Sequence, residues 1–324
     1  MSNNNKKTFP WVEKYRPNIF EEIISHNHII STIDKLINSS KLPHMIFYGP
    51  PGSGKTTTIL ACAREIYGSN INSMVLELNG SDDRGINVVR EQIKDFAGSK
   101  QLFNKGVKLV ILDEADSMTY DAQFALRRVI ENYTYNTRFC LICNYITKII
   151  PALQSRCTIF RFSPIKKKLI LNKLNEVIKK ENVKISENAK KAISKISEGD
   201  MRKAYNILQS VNMSFDFINE ENVYECIGDP LPSDINNILN ALINYDFNEC
   251  YKFIKNIKNQ NGLALIDIIK YITNRINDLQ ITKKQFIDLV KNLAIIECNL
   301  TSSTNEDIQL CSLIGSFIKI RYFN

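Results

Sequence analysis

The sequence has few of the residues that mark metal centres, disulfide scaffolds or membrane spans. Its 324 residues include three histidines, and eight cysteines are too sparse for a disulfide-rich secreted scaffold. The longest apolar runs, at 59–63 and 139–143, are far shorter than the roughly 20 residues of a membrane-spanning helix. The start, MSNNNKKTFP, lacks the apolar core of a secretory signal, and we expect residues 1–8 to form a disordered tail. These absences argue against a membrane protein and favour a reducing compartment.

Cysteine and histidine are also not spaced as metal ligands. Cys140 and Cys143 form a C-x-x-C pattern, but a zinc site needs a second pair at ligand spacing, which the sequence does not contain. Both cysteines fall in the apolar stretch RFCLICNY, so thiols in the core of a buried strand are the favoured interpretation. His26, His28 and His44 lie near no ligand-spaced cysteine or carboxylate cluster, and we assign them no metal.

What is present is an ordinary globular composition with a moderate basic excess. Hydrophobic residues make up 44% of the chain and charged residues 23%. The 42 lysines and arginines against 34 acidic residues give a formal net charge of +8. This balance is compatible with nucleic-acid binding but is weak evidence alone, because many basic proteins never bind DNA.

The chain divides into three zones of different secondary-structure pattern. Between residues 9 and 163, short apolar segments (HMIFYG, SMVLEL, KLVILD and RFCLICN) alternate with helical patterns, which predicts an α/β fold with a mostly parallel sheet flanked by helices. Residues 164–228 read as amphipathic helices only. The segment GDPLPSD at 228–234 indicates a boundary, and residues 229–324 are again predicted to be all-α.

The strongest motif is GPPGSGKT at 49–56, between an apolar strand and a helix. This context is the one required for a phosphate-binding loop, in which glycines let backbone N–H groups turn toward phosphate oxygens and the following helix presents its N-terminus. Lys55 would reach the β- and γ-phosphates, and Thr56 would offer its hydroxyl to Mg²⁺. A chance glycine-rich turn is the alternative, and the flanking strand and helix disfavour it.

Two further strands end in polar residues. KLVILDEAD at 108–116 places Asp113 and Glu114 after a buried strand. Asp113 would hold Mg²⁺, directly or through water, and Glu114 would polarise the attacking water. Asn144 follows the next strand, and because a parallel sheet binds ligands at the carboxyl ends of its strands, we expect it in the same pocket. Without this context, a solvated acidic strand end and a loop-forming asparagine would be equally good interpretations.

Five motifs occur together and in order: WVEKYRP at 11–17, the phosphate loop, DEAD at 113–116, SRC at 155–157 and GDMR at 199–202. In this combination the sequence resembles a small subunit of replication factor C, the eukaryotic sliding-clamp loader of the AAA+ family, over essentially the whole chain. The resemblance implies an AAA+ ATP-binding domain at 9–163, a helical lid at 164–228 and a helical collar, an oligomerisation domain, at 229–324.

The resemblance assigns the N-terminal motif to the nucleotide base. Val12 and Arg16 would pack against adenine and ribose, and Ile24 would lie where the next segment closes over the base. For Trp11 and Tyr15, simple core packing is the preferred interpretation. The nucleotide-binding residues that the motifs and the resemblance imply are Val12, Arg16, Ile24, Gly49, Pro50, Pro51, Gly52, Ser53, Gly54, Lys55, Thr56, Thr57, Asn144 and Arg202.

Three residues receive catalytic or sensing roles from the same resemblance. Asn144 matches the first sensor. Arg202 in GDMR matches the second sensor, which reaches from the lid to the γ-phosphate of its own subunit. Arg156 in SRC matches an arginine finger, which completes the site of a neighbouring subunit. With Lys55, Asp113 and Glu114, these residues would form a competent ATPase.

Contacts to DNA and clamp are implied less directly. Arg84 and Arg90, in SDDRGINVVR, would touch DNA phosphates from a helix at the inner surface of the ATPase ring, although a solvated face is as good an interpretation for Arg90. Gln123 is a candidate to relay DNA contact to Glu114. Phe96 and Phe103 are candidates for the clamp-facing edge, with core packing the stronger alternative for both.

The function that the resemblance implies is that of an ATP-binding and ATP-hydrolysing subunit of a hetero-pentamer. With ATP and Mg²⁺, it would help to open the sliding clamp, proliferating cell nuclear antigen, and load it onto primer–template DNA during replication and repair in the nucleus. The alternatives are a nucleotide-binding scaffold with little turnover and a stand-alone AAA+ remodeller or helicase. Lys55, Asp113 and Glu114 argue against the scaffold, and the collar-like C-terminus argues against the remodeller.

Overall fold

The computed structural model describes residues 9–39, 41–80, 85–99, 106–279, 281–302 and 305–322, and omits the side chains of residues 85–90 and 322. The chain folds into two compact units, Met1–Met213 and Ser214–Asn324. The predicted tail at 1–8 lies outside the described residues. The predicted domain boundaries near 163 and 228 stay predictions.

The first unit is built on a five-stranded parallel sheet with the order β2-β3-β4-β1-β5. The strands are β1 Met45–Tyr48, β2 Val75–Asn79, β3 Lys108–Asp113, β4 Thr137–Cys143 and β5 Thr158–Arg161. The helices that begin in this unit are α1 Trp11–Lys14, α2 Asn27–Asn38, α3 Lys55–Tyr67, α4 Ile71–Met74, α5 Gly85–Gly98, α6 Tyr120–Tyr133, α7 Pro151–Gln154, α8 Lys167–Glu181, α9 Glu187–Ile196 and α10 Met201–Ser214. The α/β prediction and its four strands are confirmed.

Alternate residues of the central strands bury opposite faces of the sheet. Along β1, Met45 and Phe47 pack with α2 and α3, whereas Ile46 packs with α5 and α6. Strands β3 and β4 follow the same alternation, so each face carries its own apolar core. Burial on both faces explains the continuous apolar sequences of these strands. Because these strands pair in parallel, the carboxyl ends of β1, β3 and β4 lie at one edge of the sheet.

The two cysteines of the C-x-x-C pattern lie in separate cores. Cys140 packs on the face covered by α2 and α3, and Cys143 packs on the face covered by α5 and α6. Residues three apart on a strand point to opposite sides, so the two thiols cannot share a metal ion. Burial raises the pKa of Cys143 to about 12 and also raises that of Cys140. No group of three potential metal-ligating side chains occurs within the described ranges.

Three amphipathic helices, α8 to α10, follow the sheet. Their buried stripes include Ile170 and Leu174 on α8, Ile193 on α9 and Leu208 on α10. The Ser186 hydroxyl accepts a hydrogen bond from the Ala189 N–H at 3.2 Å and caps α9. These helices belong to the same compact unit as the sheet, so they can be described relative to it.

In the part described, the regular elements of the second unit are all helices. Its helices are α11 Glu220–Ile227, α12 Pro232–Asn244, α13 Phe247–Asn261, α14 Leu265–Thr273, α15 Lys283–Thr301 and α16 Glu306–Tyr322. One apolar core joins α12 to α16, and the periodic residues Leu265, Ile268, Ile269 and Ile272 all point into it. Among the described residues, no helix combines the length and the apolar character that crossing a membrane requires.

A buried histidine makes the stability of the first unit depend on pH. His44 accepts a hydrogen bond from the Phe139 N–H at Nδ1 (3.2 Å), and its Nε2 lies 3.3 Å from the Thr134 hydroxyl. Burial, with the nearby Arg138 charge, lowers the pKa of His44 to about 4. Its unfolded pKa is about 6.5, so between these values the unfolded chain binds more protons and the fold loses stability as pH falls.

We therefore expect the His44→Asn variant, which carries no titratable ring, to flatten this pH dependence by up to about 3 kcal/mol between pH 6.5 and pH 4. The measurement is urea unfolding at a series of pH values, followed by the fluorescence of Trp11, the single tryptophan, which is buried in the first unit. Subtracting the unfolding free energy of the parent from that of the variant at each pH cancels the contribution of the carboxylates, which both proteins contain. Parallel pH profiles for the two proteins would contradict the prediction.

Candidate nucleotide-binding site

The loop between β1 and α3 depends on glycine at two close approaches. Gly49 has φ +149°, and a Cβ there would lie 2.1 Å from the Phe162 carbonyl oxygen. Gly52 has φ +63°, and a Cβ there would lie 1.7 Å from the Asp200 carboxylate, just before α10. The Met201 N–H also donates to the Gly52 carbonyl oxygen at 3.3 Å. The helical region therefore touches the phosphate-binding loop directly.

Lys55, the first residue of α3, carries its ammonium into this loop. Its Nζ donates to the Gly49 and Pro50 carbonyl oxygens at 2.8 and 3.0 Å and to the Asn144 side-chain oxygen at 3.0 Å. The residue is only 8% exposed, and burial lowers its pKa, an effect that the Asp113 carboxylate opposes. All three acceptors are neutral, so the ammonium charge remains available to an anion.

Thr56 and Asp113 form the pair that could hold a metal ion. The Thr56 hydroxyl donates to one Asp113 carboxylate oxygen at 2.8 Å, and the other carboxylate oxygen accepts from the Glu114 N–H at 2.9 Å. A hydroxyl and a carboxylate in contact are hard oxygen donors of the kind that Mg²⁺ prefers. The residues present therefore fit the predicted ion.

Glu114 leaves β3 in the left-handed conformation, with φ 51° and ψ 38°. Its carbonyl oxygen accepts from the Ser117 N–H at 2.9 Å and from the Ser117 hydroxyl at 2.7 Å, which fixes the turn. The side chain is exposed and lines the same cavity as Lys55. An exposed carboxylate at this position can accept a proton from water.

Asp116, the last acid of the DEAD motif, has a role that the sequence did not reveal. Its carboxylate accepts from the backbone N–H groups of Asn144 and Tyr145 at 3.1 and 3.2 Å. These bonds tie the end of β4 to the turn after β3. Asp116 therefore places Asn144 beside Lys55. The position of Asp116 as the last acid of the DEAD motif is the sequence signal that could have indicated this role.

One cavity of about 260 Å³ brings most of the predicted nucleotide-binding residues together. The predicted residues that line it are Val12, Arg16, Ile24, Pro51, Gly52, Ser53, Gly54, Lys55, Thr56, Thr57, Asp113, Glu114, Asn144 and Arg202. Gly49 and Pro50 do not line the cavity themselves, but their carbonyl oxygens accept hydrogen bonds from the Lys55 ammonium, which does. Among the lining residues that the sequence did not single out, four come from the helical region and the segment before it: Ile165, Lys173, Met201 and Tyr205.

The N-terminal helix α1 is attached to this helical region. The Trp11 N–H donates to the Gln209 side chain at 2.9 Å, and Lys14 and Tyr15 both contact the Glu181 carboxylate. Trp11 is buried and Tyr15 is partly buried, in agreement with the packing interpretation. The helix thereby holds Val12 against the cavity.

Other predicted residues lie elsewhere. Arg156 is absent from the cavity lining and sits at the surface after α7. Gln123 is 1% exposed, and its amide bonds only backbone groups, donating to the carbonyls of Met118 and Lys148 and accepting from the Ile150 N–H. No bond joins it to Glu114 in this arrangement.

The predicted DNA- and clamp-contacting residues are largely outside the described part of the chain. Arg84, Phe103 and the side chain of Arg90 cannot be placed. Phe96 packs partly buried against the core under α5 and α6, as the packing alternative expects.

Comparison with known proteins agrees with this arrangement. Three family models match in order: "ATPase family associated with various cellular activities (AAA)" at 45–165, "RCF1/5-like, AAA+ ATPase lid domain" at 172–213 and "Replication factor C C-terminal domain" at 230–316. Among solved structures, the RuvB Holliday junction branch migration motor of Thermotoga maritima matches 77% of this chain and 86% of its own, with a TM-score of 0.53 and 18% identity. That likeness supports the fold alone.

The relatives are similar over nearly their whole length. Human replication factor C subunit 5 is 54% identical over 96% of this chain and 92% of its own. Subunit 3 of Schizosaccharomyces pombe is 51% identical over 96% of this chain and 91% of its own, and subunit 3 of Saccharomyces cerevisiae is 48% identical over 98% and 95%. The stretches NGSDDRGI, RFCLICNYITKIIPALQSRC and GDMRKAYNILQS predict similarity to the subunit called 5 or 3 in different naming systems, and these matches confirm that similarity. With its AAA ATPase region, lid and C-terminal domain in sequence, the chain belongs to the family of replication factor C small subunits.

Proposed function

We propose that this chain is an ATP-hydrolysing subunit of a hetero-pentameric clamp loader, which opens a ring-shaped sliding clamp and places it at primer–template junctions. The observation that carries the proposal is the single cavity lined by Lys55, Thr56, Asp113, Glu114 and Arg202. Nearly full-length similarity to named replication factor C subunits adds the biological context. The same similarity supports a nuclear location and a role in replication and repair.

The proposed chemistry is transfer of the γ-phosphoryl group of ATP to water. Lys55 binds the β- and γ-phosphates, and Arg202 approaches the γ-phosphate from α10. Thr56 and Asp113 hold Mg²⁺, which when bound neutralises charge on the phosphate oxygens. Glu114 accepts a proton from the attacking water, and the Asn144 amide hydrogen-bonds the γ-phosphate or that water.

The base of the nucleotide would lie against the N-terminal segment. Val12, Arg16 and Ile24 line the cavity together with the apolar side chains Ile165 and Tyr205. An apolar wall with a few polar groups is what an adenine ring requires. ATP would therefore contact α1, the phosphate-binding loop and the helical region at the same time, since all of them line one cavity.

We further propose that Arg156 acts on a neighbouring subunit and that Arg84 and Arg90 contact DNA phosphates. Arg156 does not line the nucleotide cavity of its own chain, which supports action on the site of a neighbouring subunit. The net charge of +8 supports contact with a polyanion. The clamp in this proposal is proliferating cell nuclear antigen, and the hydrolysis step would release it on DNA.

The test is a loading assay with the purified complex, labelled clamp, primed DNA and ATP. We expect clamp transfer to require ATP. We also expect a complex that carries Arg84→Glu to bind primed DNA more weakly whatever the DNA sequence, with an affinity that depends less steeply on salt concentration. Normal loading by a complex whose Glu114→Gln subunit binds ATP without hydrolysing it would favour the scaffold alternative, in which nucleotide is bound with little turnover. A sequence-selective loss in Arg84→Glu would contradict a backbone contact.

A further inference from the structure

Arg156 does not extend freely from the surface. One terminal nitrogen, Nη2, lies 2.6 Å from the Glu131 carboxylate. The other, Nη1, donates to the Ala152 carbonyl oxygen at 2.7 Å and to the Ser155 hydroxyl at 3.3 Å. The side chain keeps 32% of its surface exposed. A guanidinium has five N–H groups, so these three contacts leave two that can donate to a phosphoryl oxygen.

Glu131 belongs to the last turn of α6 and binds two arginines through the same oxygen. Its Oε1 also lies 3.1 Å from Nε of Arg127, one turn earlier on α6. The hydrogen bond from Arg127, with the charges of both arginines, lowers the pKa of the Glu131 carboxyl. The carboxylate is therefore ionised at neutral pH, and its single negative charge offsets part of the charge of the two arginines on this surface.

Helix α6 also forms hydrogen bonds to the backbone just before α7, the short helix that precedes Arg156. The buried Gln123 amide on α6 bonds the backbone at Lys148 and Ile150, immediately before α7, which leads into Arg156. Helix α6 thus fixes the backbone before α7 through Gln123 and the side chain after α7 through Glu131. The helix begins six residues after Glu114, so it also borders the turn that carries this acid.

We propose that Glu131 is a positioning residue for Arg156: it holds the guanidinium in one outward-facing conformation, ready for the γ-phosphoryl group of a neighbouring subunit. This inference rests on the proposed trans role of Arg156. Arginine has large rotamer freedom, and a group already held in place loses less of it when the transition state forms. Because the ion pair is partly exposed, its contribution is modest, about twofold to fivefold in rate.

The test uses the assembled complex in which only the neighbouring site that Arg156 would complete is kept active, with Glu114→Gln in this chain, so that the remaining ATP turnover belongs to that site. Adding Glu131→Gln should lower kcat about twofold to fivefold and leave KM for ATP unchanged. Glu131→Lys should lower kcat further, because it places a third cation beside Arg127 and Arg156. The matched control is Glu187→Gln, which removes another exposed, ion-paired glutamate, 2.7 Å from Lys190 on α9, and should have no effect.

A double-mutant cycle separates positioning from a structural role. If Glu131 acts through Arg156, adding Glu131→Gln to Arg156→Ala should cause no further loss. Unchanged kcat in Glu131→Gln, or the same loss with and without Arg156, would overturn the inference while leaving the trans role intact. If Arg156→Ala itself has no effect on turnover, the trans role fails and the inference fails with it. Size-exclusion profiles of each complex exclude an assembly defect.

Discussion

The Glu114→Gln variant is expected to bind ATP as the parent does and to hydrolyse it about 10²–10⁴-fold more slowly. The Glu114 side chain is exposed at the cavity, whereas the contacts that shape the phosphate-binding loop come from Lys55, and Thr56 and Asp113 form the pair proposed to hold Mg²⁺. Glutamine keeps the size of the side chain but cannot accept a proton from water. The loss should therefore appear in the chemical step only.

The contrasting variant is Lys55→Ala, which removes the one ammonium held in the loop. Its expected effect is on affinity, about tenfold to hundredfold weaker ATP binding, since charge-assisted hydrogen bonds to phosphate are lost. Titration with a fluorescent ATP analogue measures binding, and single-turnover hydrolysis in the complex measures chemistry. If Glu114→Gln protein no longer bound ATP, the role assigned to Glu114 would be wrong.

The sheet could be predicted because most of its strands are buried on both faces. β1, β3 and β4 are continuous apolar segments, and each ends in a polar or glycine-rich motif. Strand β5 was missed, because it lies at the sheet edge and buries only Phe160 of its four residues. An edge strand of this kind has no apolar run by which to recognise it.

The phosphate-binding part of the site could be predicted because it is local in sequence. Lys55 and Thr56 begin the helix after the loop, Asp113 ends β3 and Asn144 follows the neighbouring β4, and the ends of these two strands must meet at one edge. The contributions of Lys173 and Tyr205 could not be foreseen. They depend on how the helices fold back over the loop, and their spacing on α8 and α10 resembles that of any amphipathic helix.

Long-range polar contacts were the least predictable feature. Arg127 and Glu131 are spaced i, i+4 on α6, a pattern that usually marks a solvated helix face. Only the folded structure brings Arg156, 25 residues later in the chain, onto the same carboxylate. The buried Gln123 is similar, because an amide between apolar residues gives no indication of the backbone groups that it bonds.

The Arg156→Ala variant is expected to lower ATP hydrolysis at the neighbouring subunit by about 10³–10⁵-fold, the range found for arginine fingers in other phosphate-loop enzymes. The guanidinium would stabilise negative charge that develops on the γ-phosphoryl group during transfer. Binding of ATP to this chain should be unchanged, because Arg156 does not line its own cavity. The measurement is single-turnover hydrolysis in complexes where one site at a time is kept active.

Arg156→Lys is the matched variant, because it keeps the positive charge but lacks the planar fork of donors. If geometry matters as well as charge, the lysine variant should remain strongly impaired, because one ammonium nitrogen cannot reproduce the contacts that two guanidinium nitrogens make to Glu131, Ala152 and Ser155. Loss of hydrolysis confined to this chain's own site, with the neighbouring site unaffected, would refute action in trans. It would instead require Arg156 to leave Glu131 and reach its own cavity, and the chain would then be a self-contained ATPase.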